Sequence, residues 1–376
     1  MSMVTQEFAS GVSTISERTT GSNLASTRKK GGRKNKWWLT GMSLLLLVSV
    51  VVSAGVGAVT IGPGEILAIV FAKVGIALAI PFEEQQEIVF WYIRLPRVCL
   101  GILVGAGLAI AGTLLQGLFR NPLADPTLIG ISSGAMLAAV LTIVFGLSLG
   151  ILGGYFASYT LAFSAFVGAC TTTIIVYRVA KAKGEFKIGT MLLTGIAINA
   201  FVMALTGLLT SLANDQQLRD LTFWNLGSLG GATWNSVWTL FPFILLALIF
   251  SPRLAKSLNL LALGENQAAT MGVDMVRLRK ICILLATLAV GASVSMAGNI
   301  GFVALIVPHI VRKAFGPDHR MVLPAAALGG AAILTFADAL ARTIVAPAEL
   351  PIGVVTALMG APIFVYILLT EHRRLT

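Results

Sequence analysis

Apolar runs of roughly twenty residues, each long enough to cross about 30 Å of hydrocarbon, recur from Trp37 to Leu369. A chain built this way has to satisfy every backbone N–H and C=O inside its own segments, and α-helices do that. The coarse helix map is 37–60, 94–119, 126–146, 150–178, 188–212, 235–251, 275–296, 302–315, 322–342 and 352–370, about ten spans in all. Only 11% of the residues are charged and the mean hydropathy is +0.88, which excludes an ordinary water-soluble domain. The 39 glycines fit the same reading, because small residues let helices in lipid approach closely. Gly101/Gly105 and Gly150/Gly154 have the small-xxx-small spacing of such contacts.

A net charge of +11 raises the question of a nucleic-acid partner, and the positions of the charges decide against one. If Trp37–Thr60 starts inside and the spans then alternate, 22 Lys/Arg fall on the cytoplasmic side. Five fall outside or at outer helix ends: Lys73, Arg94, Arg97, Arg219 and Arg342. The basicity is topogenic, and both termini are expected in the cytoplasm. Residues 1–36, Ser/Thr-rich and then basic, read as a disordered cytoplasmic extension, and 37–372 as the transmembrane domain. Reading the N-terminus as a cleaved signal would leave an odd number of crossings. Cys99, Cys170 and Cys282 lie singly in apolar runs and read as packing residues.

The chemistry of an enzyme or motor is missing. The chain has no G-x-x-x-x-G-K-[ST] phosphate loop, no HExxH and no GxSxG. No catalytic residue, metal site or bound cofactor is therefore expected. Asp338 is the one clear deep acid, and Arg342 four residues later offers it a helical ion pair, a structural reading that competes with a proton relay. An ion-coupled secondary transporter thus remains the competing class.

Two further features concern organisation. VGAGLAIAG at Val104–Gly112 echoes in VGASVSMAG at Val290–Gly298, with five of nine positions identical. The expected topology gives the copies opposite polarity, as an inverted repeat requires. In the inside stretch 253–280, Gly264 and Gly272 bracket a short amphipathic helix bearing Glu265, which either rests on headgroups or receives force from a separate motor.

The strings RLPR (94–97), AGTLLQGLFRNPLADPTLIGISSGA (111–135), LALGENQAATMGV (261–273), GNIGFVALIVPHIVRKAFGPDHR (298–320) and APAELPIGVVTALMGAPIF (346–364) resemble the FecCD-type permeases of importers for iron-siderophores, haem and cobalamin. The resemblance covers about residues 40–372. It implies an all-α ABC type II importer permease of ten helices, a homodimer with an axial pathway, two cytoplasmic ATPase subunits that use the ATP, and a periplasmic binding protein. In that frame Leu261, Leu263, Gly264, Glu265, Ala268 and Gly272 belong to the ATPase coupling helix. Arg94, Arg97 and Arg342 sit where family members meet acidic residues of the binding protein, with headgroup anchoring as the alternative. Ile188, Gly189 and Thr190 mark a gate at the mouth of a pathway helix. Asn199 in mid-span either faces the pathway or bonds a neighbouring helix. His309 and His319 are candidate haem ligands, although their PH…DH pattern is shared with members that carry no haem. The outer string 217–234 resembles haem-permease members more than siderophore ones. The expectation is a subunit of the bacterial inner membrane that imports an iron chelate, with haem leading and siderophore-iron or cobalamin as alternatives.

Overall fold

A computed structural model describes residues 37–146, 160–181, 186–346 and 348–375. The expected extension 1–36 and the Gly150/Gly154 pair lie outside the described residues. Among the described residues all regular structure is helical. Of the described residues, 37–44 fall in one unit and those from Leu45 onward in another that contains the helical bundle.

Ten helices correspond to the ten expected spans: α1 (Trp37–Gly55), α4 (Leu95–Phe119), α5 (Ile131–Phe145), α6 (Thr160–Ala180), α7 (Ile188–Thr210), α9 (Trp234–Leu261), α11 (Met275–Ala297), α12 (Val303–Phe315), α13 (His319–Thr343) and α14 (Ile352–Leu375). Short helices fill the connections: α2 (Pro63–Lys73), α3 (Glu84–Val89), α8 (Asp215–Leu226) and α10 (Glu265–Thr270). Among the described residues seven helices are long and apolar enough to cross a membrane. At 15 and 13 residues, α5 and α12 fall short of that length.

Two boundaries differ from the sequence reading. The second span begins at Glu84, because α3 runs through a π-turn (Phe90–Arg94) straight into α4. Pro96 cannot donate a backbone bond, and the wider turn, closed by Leu95 N–H on the Phe90 carbonyl, absorbs that defect. The sixth span does not stop before Pro252. It continues to Leu261 because Ser251, Ala255, Leu258 and Leu261 form a buried stripe at helical spacing, and that packing outweighs the proline's missing donor.

The core is organised on α4, which is buried from Pro96 to Phe119 on nearly every side. It lies antiparallel to α13: Gly101 meets Thr335, Gly105 meets Gly330 and Gly117 meets His319. The Gly105 and Gly330 backbones touch so closely that a Cβ on either would collide with the carbonyl oxygen of the other. Gly134 of α5 and Gly168 of α6 repeat this reciprocal contact. On its other sides α4 sets Gly112 against the Ala304 backbone, and Gly107 against Ser293 and the Ala289 carbonyl. The Gly107 contact joins the two echoing segments, so the repeated sequence is used twice at one helix interface.

Replacing Gly105 with Leu is expected to abolish the monodisperse protein in detergent, since neither backbone can move away without unpacking α13. Gly189→Ala, where a Cβ would meet nothing within 4 Å, should shift the thermal midpoint by no more than about 0.5 kcal/mol of stability. Size-exclusion profiles and thermal melts of the two variants check this contrast.

Candidate functional site

Three places carry the residues singled out by sequence. The first is the end of the bundle where α4 begins and α13 ends. Arg97, 6% exposed, donates through Nε to both Asp338 carboxylate oxygens at 2.9 and 3.1 Å. Its two terminal nitrogens donate to the Glu349 oxygens at 2.9 and 3.0 Å, a fork-to-fork pair. Arg342 completes the expected i,i+4 pair with Asp338 at 3.2 Å, and also donates to the Ser53 carbonyl and hydroxyl, each at 2.8 Å. Arg94, brought inward by the π-turn, donates to the carbonyls of Ala54 (2.7 Å), Gly55 (2.8 Å) and Val59. Arg94 and Arg342 therefore cap the last carbonyls of α1, where a helix has no internal donors and carries partial negative charge. Gly57, with φ +154, lets the chain turn beneath them: a Cβ there would lie 2.8 Å from the Arg94 guanidinium.

Arg97 and Arg342 thus share one network with Asp338 (2% exposed) and Glu349, whose side chain is 47% exposed, while Arg94 bonds only backbone carbonyls at the end of α1. Within this set Glu349 is the carboxylate that solvent or a partner can reach. Sequence reasoning passed over Glu349. The only available signal was its place in the A-E-L-P stretch before α14, and its partner lies 252 residues away.

The second place is α7. It buries Met191, Gly195, Val202 and Thr206 and leaves Leu193, Ile196, Phe201, Met203 and Leu208 exposed. Asn199 is tied on the packed side. Its amide donates to the Thr127 carbonyl at 2.9 Å and its oxygen accepts from Ser133 Oγ at 2.6 Å. A Cβ on Gly195 would collide with the Leu128 carbonyl, so α7 and the turn at 126–129 are in backbone contact there. Ile188, Gly189 and Thr190 open the helix, the last two exposed.

The third place is α10, at the opposite end of α4 from the arginines. Gly264 (φ +129) and Gly272 (φ +83) hold backbone conformations that other residues adopt with strain, and they bracket the helix as the sequence implied. Leu261 and Ala268 are fully buried and anchor it, while Leu263 and Met271 are 60% and 61% exposed. Glu265 accepts from Arg279 of α11 at 2.6 Å, and the Arg279 guanidinium lies over the Phe186 ring at 4.9 Å. Glu265 thus ties α10 to the base of α11, a contact the sequence did not reveal. Leu263 and Met271 thus stand exposed on a glycine-bounded turn that Glu265 straps to α11.

Neither candidate haem ligand presents itself openly: His309 is 7% and His319 5% exposed. His319 Nδ1 is 2.8 Å from Asn259 Oδ1, which also accepts the His319 backbone N–H. Among the described residues no group of three or more His, Cys, Asp or Glu is placed to hold a metal ion.

The model of the FecCD transport family matches residues 45–370. The hemin transport system permease protein HmuU of Yersinia pestis is 43% identical over 317 residues, covering 82% of this chain and 93% of that protein. The vitamin B12 import system permease protein BtuC of Citrobacter koseri is 37% identical over 341 residues, covering 91% and 96%. Among solved structures, one described as an inward-facing conformation of a metal-chelate type ABC transporter aligns with a TM-score of 0.76 and 33% identity, covering 88% of this chain and 98% of its own. The near full-length matches agree with the helical bundle of the described residues: this chain is a multi-pass, non-catalytic ABC transporter permease belonging to the FecCD transport family.

Proposed function

We propose that the chain is the membrane subunit of an importer that carries a haem-type iron chelate across the inner membrane, driven by ATP hydrolysis in separate subunits. The observation that carries the substrate reading is the 43% identity with a hemin permease over most of both chains, against 37% and 40% for two vitamin B12 (cobalamin) permeases. The margin makes haem the first substrate to test, before cobalamin and siderophore-iron. A second copy of the chain is proposed to cover the open face of α7, which would then line an axial pathway with Ile188–Thr190 at its mouth. Both termini are assigned to the cytoplasm on the distribution of charge.

In this reading the two ends of the bundle have different partners. The α10 end, with Leu263 and Met271 exposed on a turn strapped to α11, receives the ATPase. The arginine end faces the binding protein, and Arg97 engages an incoming carboxylate in the geometry in which it now holds Glu349. Alternating access follows: docking at one end and nucleotide-driven movement of α10 at the other shift the helices about the fixed α4–α13 pair. No bond in the chelate is made or broken.

Proteoliposomes containing the permease, its ATPase and binding protein should take up haem only with ATP, and liposomes with the permease alone should take up none. Gradient-driven uptake by the permease alone would replace this reading with a secondary transporter. Preferential uptake of cobalamin or a ferric siderophore would reassign the substrate.

Leu263→Asp with Met271→Asp should weaken ATPase association by about tenfold or more with an unchanged thermal midpoint, because both side chains are already in solvent. Arg97→Gln combined with Glu349→Gln removes a charge from each sign of the network and leaves Asp338 its pair with Arg342, and so avoids the penalty of about 3–5 kcal/mol for stranding a buried ion. That double variant should remain folded and bind the ATPase, yet dock the binding protein about tenfold more weakly. Unchanged docking affinity would remove Arg97 from the docking surface.

A further inference from the structure

At the α10 end a cavity of about 490 Å³ opens between α9 and α11 and reaches behind the turn that ends α10. Its position relative to the membrane can be read from the two helices. Between Trp234 and Pro252, α9 carries no charge, a length of roughly 27 Å, and Arg253 is the first ion after it. In α11 the last ion is Lys280, and from Ile281 the helix is uncharged to Ala297. The cavity straddles this border. Phe250 and Ile281 line it on the apolar side, and Arg253, Lys256 and Arg277 on the charged side.

The cations are available to a ligand. All three are exposed, and among the described residues none of them pairs with a carboxylate. Arg253 donates to the Ile249 carbonyl at 2.6 Å and lies over the Phe250 ring at 5.1 Å, which holds its guanidinium at the seam between the two halves. Asp274, the one acid in the lining, is engaged in capping α11 by accepting the Arg277 backbone N–H. Three cations against one occupied carboxylate leave the charged half positive.

We propose that this cavity is a binding site for an anionic phospholipid, its phosphodiester held by Arg253, Lys256 and Arg277 and an acyl chain laid along Phe250 and Ile281. A free phosphate would leave the apolar half unused, and a neutral lipid the charged half. Basic pockets between helices at the membrane border suit an anionic amphiphile. The inference goes beyond the transport reading, but the site adjoins it, because Met271, Gly272 and Val273 at the end of α10 line the same cavity. A bound headgroup would support that turn from behind.

The test uses the full chain in a neutral detergent with native mass spectrometry, titrating phosphatidylglycerol against phosphatidylcholine. Wild type should retain phosphatidylglycerol about tenfold better. Arg253→Gln, Lys256→Gln, Arg277→Gln together should erase that preference, while Lys313→Gln with Arg320→Gln, which removes two cations elsewhere, should keep it. If the triple variant does not fold, Lys256→Gln alone must lower the preference. An undiminished preference in the variant overturns the site. Equal displacement of the lipid by inorganic phosphate transfers it to a soluble anion and overturns the lipid assignment. Unchanged lipid retention with loss of ATPase co-purification gives the surface to the ATPase. None of these readouts requires transport, so the site can fail while the importer reading stands, and the reverse.

Discussion

In lipid the apolar faces of two helices gain little from meeting, so what holds a bundle together is the closeness of its backbones. Here that closeness is set at α4. Gly105 against Gly330 and Gly112 against Ala304 bring two neighbours to distances that no side chain permits, and Gly107 lies close against Ser293 of a third. Dispersion contacts and Cα–H···O contacts then replace the hydrophobic effect as the cohesive terms. The peripheral helices are arranged around this centre. α5 and α6 repeat the device through Gly134 and Gly168, and α7 meets the turn at 126–129 through Gly195.

Where α4 and α13 separate at one end, ions take over from glycines. Arg97, Arg342, Asp338 and Glu349 pair across helices that are adjacent in space and distant in sequence. Asp338 is fully enclosed and serves two arginines, so its removal would leave both without their shared carboxylate. Glu349 is the accessible member. The network is therefore enclosed toward the core at Asp338 and open toward the surface at Glu349.

How much of this could be read beforehand follows the range of each interaction. The spans were legible because run length is a local property, and the Asp338–Arg342 pair because it lies within one turn of helix. The α10 turn was legible from Gly264 and Gly272, whose positive φ values are what glycine is for. The bounds at 94 and 251 fell short of the observed helices: a π-turn carries the second span across the start of α4, and the buried stripe of α9 carries the sixth past Pro252. Partners of Arg94, Arg97, Asn199 and Glu265 could not be read, because each comes from another helix or connection brought near only by folding. Asn199, left open between pathway and packing, donates to a carbonyl 72 residues away.

The capping of α1 also has a consequence in time. Its last carbonyls are bound by Arg94, made soon afterwards, and by Arg342, made 286 residues after Val56. Arg97 likewise waits for Asp338 and Glu349. During synthesis the earliest helix is consequently left with open carbonyls, and Arg97 without a carboxylate, until the next-to-last long helix has emerged. The clasp joins the beginning of the bundle to its end, so a chain truncated before α13 loses the closure of its first helix as well as its last two.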